Sequence, residues 1–141
     1  MNLIDFNLGQ TLNMNDPLLI DTDVLIDYLR GRTEAVKYVE SLQETLMISA
    51  ITIAELYAGV REGKERTILD NFLTAFEVIE LNKDIALQGG LFRRGYGKSH
   101  NTGLADALIA ASAEYKKAML VTLNKKHFPM VSKLTVPYQK P

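Results

Sequence analysis

A three-layer α/β/α domain built around a central parallel β-sheet is the fold class this sequence predicts, and three observations predict it. Short apolar runs of strand length stand at Leu18–Ile20, Leu46–Ile51, Met119–Leu123 and Leu134–Val136. Segments with apolar residues at helical spacing lie between them. Strands that alternate with helices form a parallel sheet covered on both faces.

The elements follow in order. Residues 1 to 17 carry no sustained period and end in the turn signal Asn15-Asp16-Pro17, so they read as a loosely ordered N-terminal extension to a domain spanning 18 to 141. Met1 and Met14 are both possible starts. After the first strand, Val24, Leu25, Tyr28 and Leu29 predict a helix closed by Gly31. A second helix is expected over 33 to 44, then the strand 46 to 51. Thr52 opens a helix that ends near Gly63, and a further helix runs from about 64 to 76. Phe76 to Leu81 alternates like a short strand. Residues 83 to 98 read as a helix weakened by Gly89-Gly90 and Gly95. An alanine-rich helix from Leu104 to about Lys117 leads into the last two strands.

Bulk properties narrow the function. The 141 residues suffice for one domain with a core, and 47% apolar with 23% charged residues is ordinary globular composition. Without cysteine there is no disulfide framework, thiolate metal site or cysteine nucleophile. No apolar run is long enough to span a bilayer and no signal-peptide pattern opens the chain, so a cytoplasmic protein without a membrane partner is expected. With net charge −1 and pI near 6.1, any affinity for nucleic acid has to come from local basic clusters. Arg30 with Arg32, Arg93 with Arg94 and Lys98, and Lys125 with Lys126 are the available ones.

In a parallel α/β sheet ligands bind beyond the carboxyl ends of the strands, and the polar residues there are few. Asp21 ends the first strand; a helix cap would explain it, but Thr22 and Asp23 could serve that purpose too. Glu55 completes Thr52-Ile53-Ala54-Glu55, which fits a capping box and equally puts a carboxylate at the sheet mouth. Asp106 stands in Gly103-Leu104-Ala105-Asp106-Ala107-Leu108-Ile109-Ala110-Ala111 with no Lys or Arg three or four positions away. A carboxylate on so apolar a helix is costly to bury unless a cation or hydrogen bonds hold it. Asn124 ends the Val121-Thr122-Leu123 strand as a turn former or a carbonyl donor, and Thr122 could bond a neighbouring carboxylate. Three carboxylates and an amide are hard oxygen donors of the kind Mg²⁺ or Mn²⁺ takes, and the natural chemistry of that set is phosphodiester hydrolysis.

The segments LLIDTDVLIDYLRG (18–31), TIAELYAG (52–59), LADALIAA (104–111) and VTLNKKHF (121–128) resemble the PIN-domain ribonucleases, and more narrowly the toxins of VapBC-type toxin–antitoxin pairs. That resemblance implies an endoribonuclease dependent on Mg²⁺ or Mn²⁺, usually a homodimer. It also implies inhibition by a cognate VapB-like antitoxin whose C-terminal segment enters the active site. Asp21, Glu55 and Asp106 match the family's first three acids and are the implied metal ligands, with Asn124 and Thr122 completing the catalytic set. Asn124 stands where the family often has a fourth acid or an asparagine, so it falls within the family's range while lowering the formal charge of the pocket by one. Asp23 is expected to support the site and Asp27 to face solvent, and neither His100 nor His127 receives a role.

Two other readings compete. Leu18-Leu19-Ile20-Asp21-Thr22-Asp23-Val24 also fits the first motif of haloacid-dehalogenase-like phosphatases, with Asp21 as nucleophile and Asp23 as acid–base partner. The third reading is a non-catalytic PIN-like module that only binds RNA or a protein.

Overall fold

The computed structural model describes residues 16–140. The reading of residues 1 to 17 as a loose extension therefore lies, up to Asn15, outside the described residues. Its last two positions join the sheet. Pro17 O accepts from Met119 N (3.1 Å), and Asp16 Oδ2 pairs with Lys133 Nζ (3.0 Å).

Five strands of the described residues make one parallel sheet: β1 (Leu18–Ile20), β2 (Leu46–Ser49), β3 (Glu77–Ile79), β4 (Met119–Val121) and β5 (Leu134–Thr135). Their order is β3-β2-β1-β4-β5, and each neighbouring pair is parallel. The first strand in sequence is thus central, with Leu19 facing Met47 on one side and Leu120 on the other.

Among the described residues, six α-helices cover the sheet: α1 (Thr22–Leu29), α2 (Thr33–Glu40), α3 (Ala50–Gly59), α4 (Lys64–Leu73), α5 (Lys83–His100) and α6 (Leu104–Lys116). The side-chain alternation of the strands explains how they divide. Leu19, Met47, Ile79 and Leu120 point to one face, where they pack with Ile85 of α5, Leu108 and Ile109 of α6, and Phe128. Leu18, Ile20, Ile48, Met119 and Val121 point to the other, against Val24 and Leu25 of α1, Val39 of α2, Leu56 of α3 and Leu69 of α4. Covered on both faces, the inner strands β1 and β4 are apolar at every position, whereas β2 ends in Ser49 and the edge strands carry Glu77 and Thr135.

The helix ends differ from the sequence expectations where short side-chain bonds intervene. The second strand stops at Ser49 rather than Ile51. The Ser49 hydroxyl accepts from Ile51 N (3.1 Å) and caps a helix that begins at Ala50, two residues before Thr52. The predicted Thr52–Glu55 capping box is therefore not formed. α2 ends four residues earlier than expected, and α4 stops at Leu73. α1 ends as predicted by Gly31, whose φ of +77° completes a Schellman turn in which Gly31 N donates to Tyr28 O and Arg32 N to Asp27 O.

Asp27 corrects the sequence reading more substantially. It is 6% exposed instead of facing solvent. Tyr138 Oη donates to its Oδ2 (2.8 Å), and Lys140 Nζ lies 3.1 Å from its Oδ1. A carboxylate so enclosed needs such partners, and they come from the last described residues, which are thereby strapped along α1. Hydrogen bonds to a charged group contribute about 1.5–3 kcal/mol. Tyr138→Phe is accordingly expected to lower unfolding free energy by roughly 1–2 kcal/mol, read as a lower urea midpoint at unchanged slope. No change would show that the tail is not held through this bond.

Candidate functional site

Asp21 is the residue after β1 and the N-cap of α1, and it is only 5% exposed. Its Oδ1 accepts from Thr22 N (2.8 Å) and its Oδ2 from Thr122 Oγ1 (2.7 Å). One oxygen of the side chain thus serves the helix as its cap, while the other faces β4. Burial pushes the Asp21 carboxyl up from its ordinary 3.8 to about 7, the negative charge of Asp23 and then of Asp106 adding to it, while the Thr122 and Thr22 bonds pull the other way.

Thr122 is fully buried and serves twice. While its hydroxyl donates to Asp21, it accepts from Asn124 N (3.1 Å). Asn124 is exposed, and its Nδ2 donates to Asp23 Oδ2 (2.9 Å), which also accepts from Leu123 N (3.1 Å). Asp23 Oδ1 is buried with no hydrogen-bond partner among the described residues. Burial raises the Asp23 carboxyl from 3.8 to about 6, against the lowering by the Leu123 amide and the Lys140 ammonium.

Glu55, on the second turn of α3, is exposed and bonded to α1. Thr22 Oγ1 lies 2.6 Å from Glu55 Oε1 and 3.0 Å from Thr52 Oγ1. A hydroxyl has a single hydrogen; it goes to the carboxylate, and the buried Thr52 hydroxyl donates to Thr22 in turn. Thr52 is therefore a buried link of this chain rather than a helix cap. Asp106 sits in the first turn of α6, where Gly103 N donates to its Oδ2 at 3.3 Å. Its side chain is 30% exposed, so its burial does not explain its presence. The helix N-terminus favours an anion there. His127 Nδ1 lies 3.5 Å from Asp106 Oδ2, and His127 O accepts from Thr102 Oγ1 (2.8 Å), which ties the 3-10 turn Lys125–His127 to the start of α6.

The structure therefore brings Asp21, Thr122 and Asn124 into one bonded group. Asp106 is close enough to raise Asp21, and Glu55 joins through Thr22. Sequence reasoning gave no part to His127, and it treated Thr52 only as the start of a capping box and Thr22 only as one of several possible caps. The signal for Thr22 and Thr52 was their place at two strand-to-helix junctions; for His127 it was the turn that follows Asn124. Asp23 carries the main-chain and amide bonds of 123–124 with Oδ2, which leaves it poorly disposed as the acid–base partner of a phosphatase. Among the described residues, no three His, Cys, Asp or Glu side chains converge into a ready-made cation cage. No helix of the described residues is long and apolar enough to cross a membrane.

An α/β/α protein whose parallel sheet gathers acids, hydroxyls and an amide at its carboxyl edge is the class that fold and site define. The chain belongs to the PIN domain family, whose model matches residues 18–134. Among curated proteins, Ribonuclease VapC10 of Mycobacterium tuberculosis is 39% identical over 127 residues, covering 88% of this chain and 95% of that protein. Ribonuclease VapC19 of the same species is 40% identical over 125 residues, covering 85% and 98%. Among solved structures, a toxin–antitoxin complex from Klebsiella pneumoniae superposes with a TM-score of 0.76 at 30% identity, covering 87% of this chain and 99% of that one.

Proposed function

We propose that this protein is a Mg²⁺- or Mn²⁺-dependent endoribonuclease, the toxin of a toxin–antitoxin pair, acting in the cytoplasm as a homodimer. The observation that carries the reading is the buried Asp21 carboxylate, raised by burial and by the charges of Asp23 and Asp106. Carboxylates drawn together repel one another, and a dication relieves that cost. The ribonuclease names of the relatives and the toxin–antitoxin complex point the same way.

The donors are hard oxygens and fit such a cation. Asp21, Asp106 and Glu55 would hold it. When bound, it supplies Lewis-acid activation of a phosphodiester oxygen and of a water. The chain's own residues do the rest. Thr122 holds the Asp21 carboxylate in place through Oδ2, Thr22 orients Glu55, and Asn124 offers an amide at the open end of β4. Lys125 and Lys126, exposed beside Asn124, suit contacts to an RNA backbone, which give affinity with little sequence choice.

A groove of about 440 Å³ beside Glu55, lined by Ile26, Leu29, Leu56 and Ile68 together with Arg30 and Arg61, supports inhibition by an antitoxin segment. The test is induced expression of the wild type and of Asp106→Asn, with growth followed and total RNA run on a gel. Arrest with discrete fragments for the wild type, both absent in the soluble variant, is expected. Arrest and fragments that persist in Asp106→Asn would remove that residue from the site, and unimpaired growth with intact RNA for soluble wild type would sink the toxin reading.

A further inference from the structure

Residues 122 to 124 are pinned by the two acids of the first motif: Thr122 Oγ1 donates to Asp21, while Leu123 N and Asn124 Nδ2 both donate to Asp23 Oδ2. A carboxylate accepts only, so the amide of Asn124 has to turn its NH₂ group to Asp23, which leaves its carbonyl oxygen free. An acid at position 124 would instead set two carboxylates against each other where the 2.9 Å hydrogen bond now stands.

We infer that Asp23 and Asn124 work as one unit, in which Asp23 is a positioning residue that orients Asn124 for the reaction. Asn124 is then not a missing acid. The charge at this end of the sheet resides on helix residue 23, and the amide at 124 is its complement. The inference rests on the ribonuclease reading above and adds to it a residue pair with a defined dependence. Asn124 is exposed, so changes there bear little on folding.

The test is a side-chain exchange. Asn124→Asp alone is expected to lower RNA cleavage by about 10- to 100-fold, the range for residues that orient metal-site groups, with the loss in kcat rather than KM. Asp23→Asn with Asn124→Asp restores the donor–acceptor pair in reverse but sets the new NH₂ group at position 23 against Leu123 N, which donates to the same Oδ2 in the wild type, so recovery of only part of the lost activity is expected. Titration calorimetry with Mn²⁺ should show weakened binding in the single variant and partial recovery in the double, and urea midpoints confirm that both fold. A double variant no better than Asn124→Asp alone, or an Asn124→Asp protein as active as the wild type, would overturn the inference. Asp21→Asn in the same series separates the two levels. If it too remains active, the ribonuclease site itself is misplaced; if it is dead while the exchange fails, only the pairing falls.

Discussion

Replacing Asp21 by asparagine is expected to lower RNA cleavage on the order of 10³-fold and, in the absence of metal at neutral or alkaline pH, to make the protein more stable. The two effects have one cause. The Asp21 carboxyl is raised in the folded protein from 3.8 to about 7, mainly because burial disfavours its charge. Below about pH 4 the carboxyl is protonated both folded and unfolded, and it has no effect on stability. Between about pH 4 and 7 the unfolded chain releases the proton while the folded protein resists, so stability falls as pH rises and then levels off. At about 1.4 kcal/mol per pH unit, the ceiling on this cost is roughly 4 kcal/mol.

An amide at position 21 escapes that cost and still accepts from Thr22 N, while its NH₂ can donate to Thr122. Asp21→Asn should therefore melt several degrees above the wild type at pH 8 in EDTA and equal it near pH 4. Added Mn²⁺ should reverse the order at pH 8, because only the carboxylate gains from a dication. Activity should drop on the order of 10³-fold, since metal stabilisation of transition-state charge is worth several kcal/mol. An unchanged melting temperature at pH 8 together with retained cleavage would remove Asp21 from the centre of the site.

The second large effect concerns packing. Phe128 is 2% exposed and the largest of the fully enclosed side chains, seated among Leu108, Ile109 and Leu120 on the α5–α6 side of the sheet. It also closes the 3-10 turn after Asn124, with Phe128 N donating to Lys125 O (3.0 Å) and Phe128 O accepting from Val131 N (3.2 Å). Truncation to alanine leaves a cavity that costs about 3–5 kcal/mol, a large part of the 5–15 kcal/mol that usually holds a domain together. The urea midpoint should fall sharply at unchanged slope. Because the turn carries His127 and follows Asn124, activity should fall as well, well below the melting transition. A loss under about 1 kcal/mol would mean the turn is held elsewhere, the Thr102 bond to His127 O being the next candidate.

What could be read in the sequence follows physical range. Strands buried on both faces announce themselves by uninterrupted apolar runs, and helices by their period, so the layered sheet was legible. Asp21 was legible because a strand-to-helix junction places it at the carboxyl edge of any parallel sheet. Glu55 was singled out beside a capping box that does not form: the Ser49 hydroxyl, not Thr52, caps the helix, and a one-turn ambiguity of this kind is local competition among Ser and Thr that period cannot resolve. Asp106 was singled out on an expectation of burial, whereas it lies partly open at a helix start. Asp27 was misread because its partners, Tyr138 and Lys140, lie more than a hundred positions downstream. No local pattern can report a contact of that separation.

The central position of β1 has a consequence in time. Made first, this strand waits unpaired on the β4 side until the chain has grown by a further hundred residues; the hydroxyl that holds Asp21 belongs to Thr122, 101 positions on. At about 5–20 residues per second, a ribosome spends roughly 5–20 seconds between the two. Throughout that interval the nascent chain carries its first acid without the strand, turn and amide that complete the pocket. Until residues 122 to 124 have been made, no folding of the preceding hundred residues can close the bonded group around Asp21, so this pocket is assembled late relative to its own first acid.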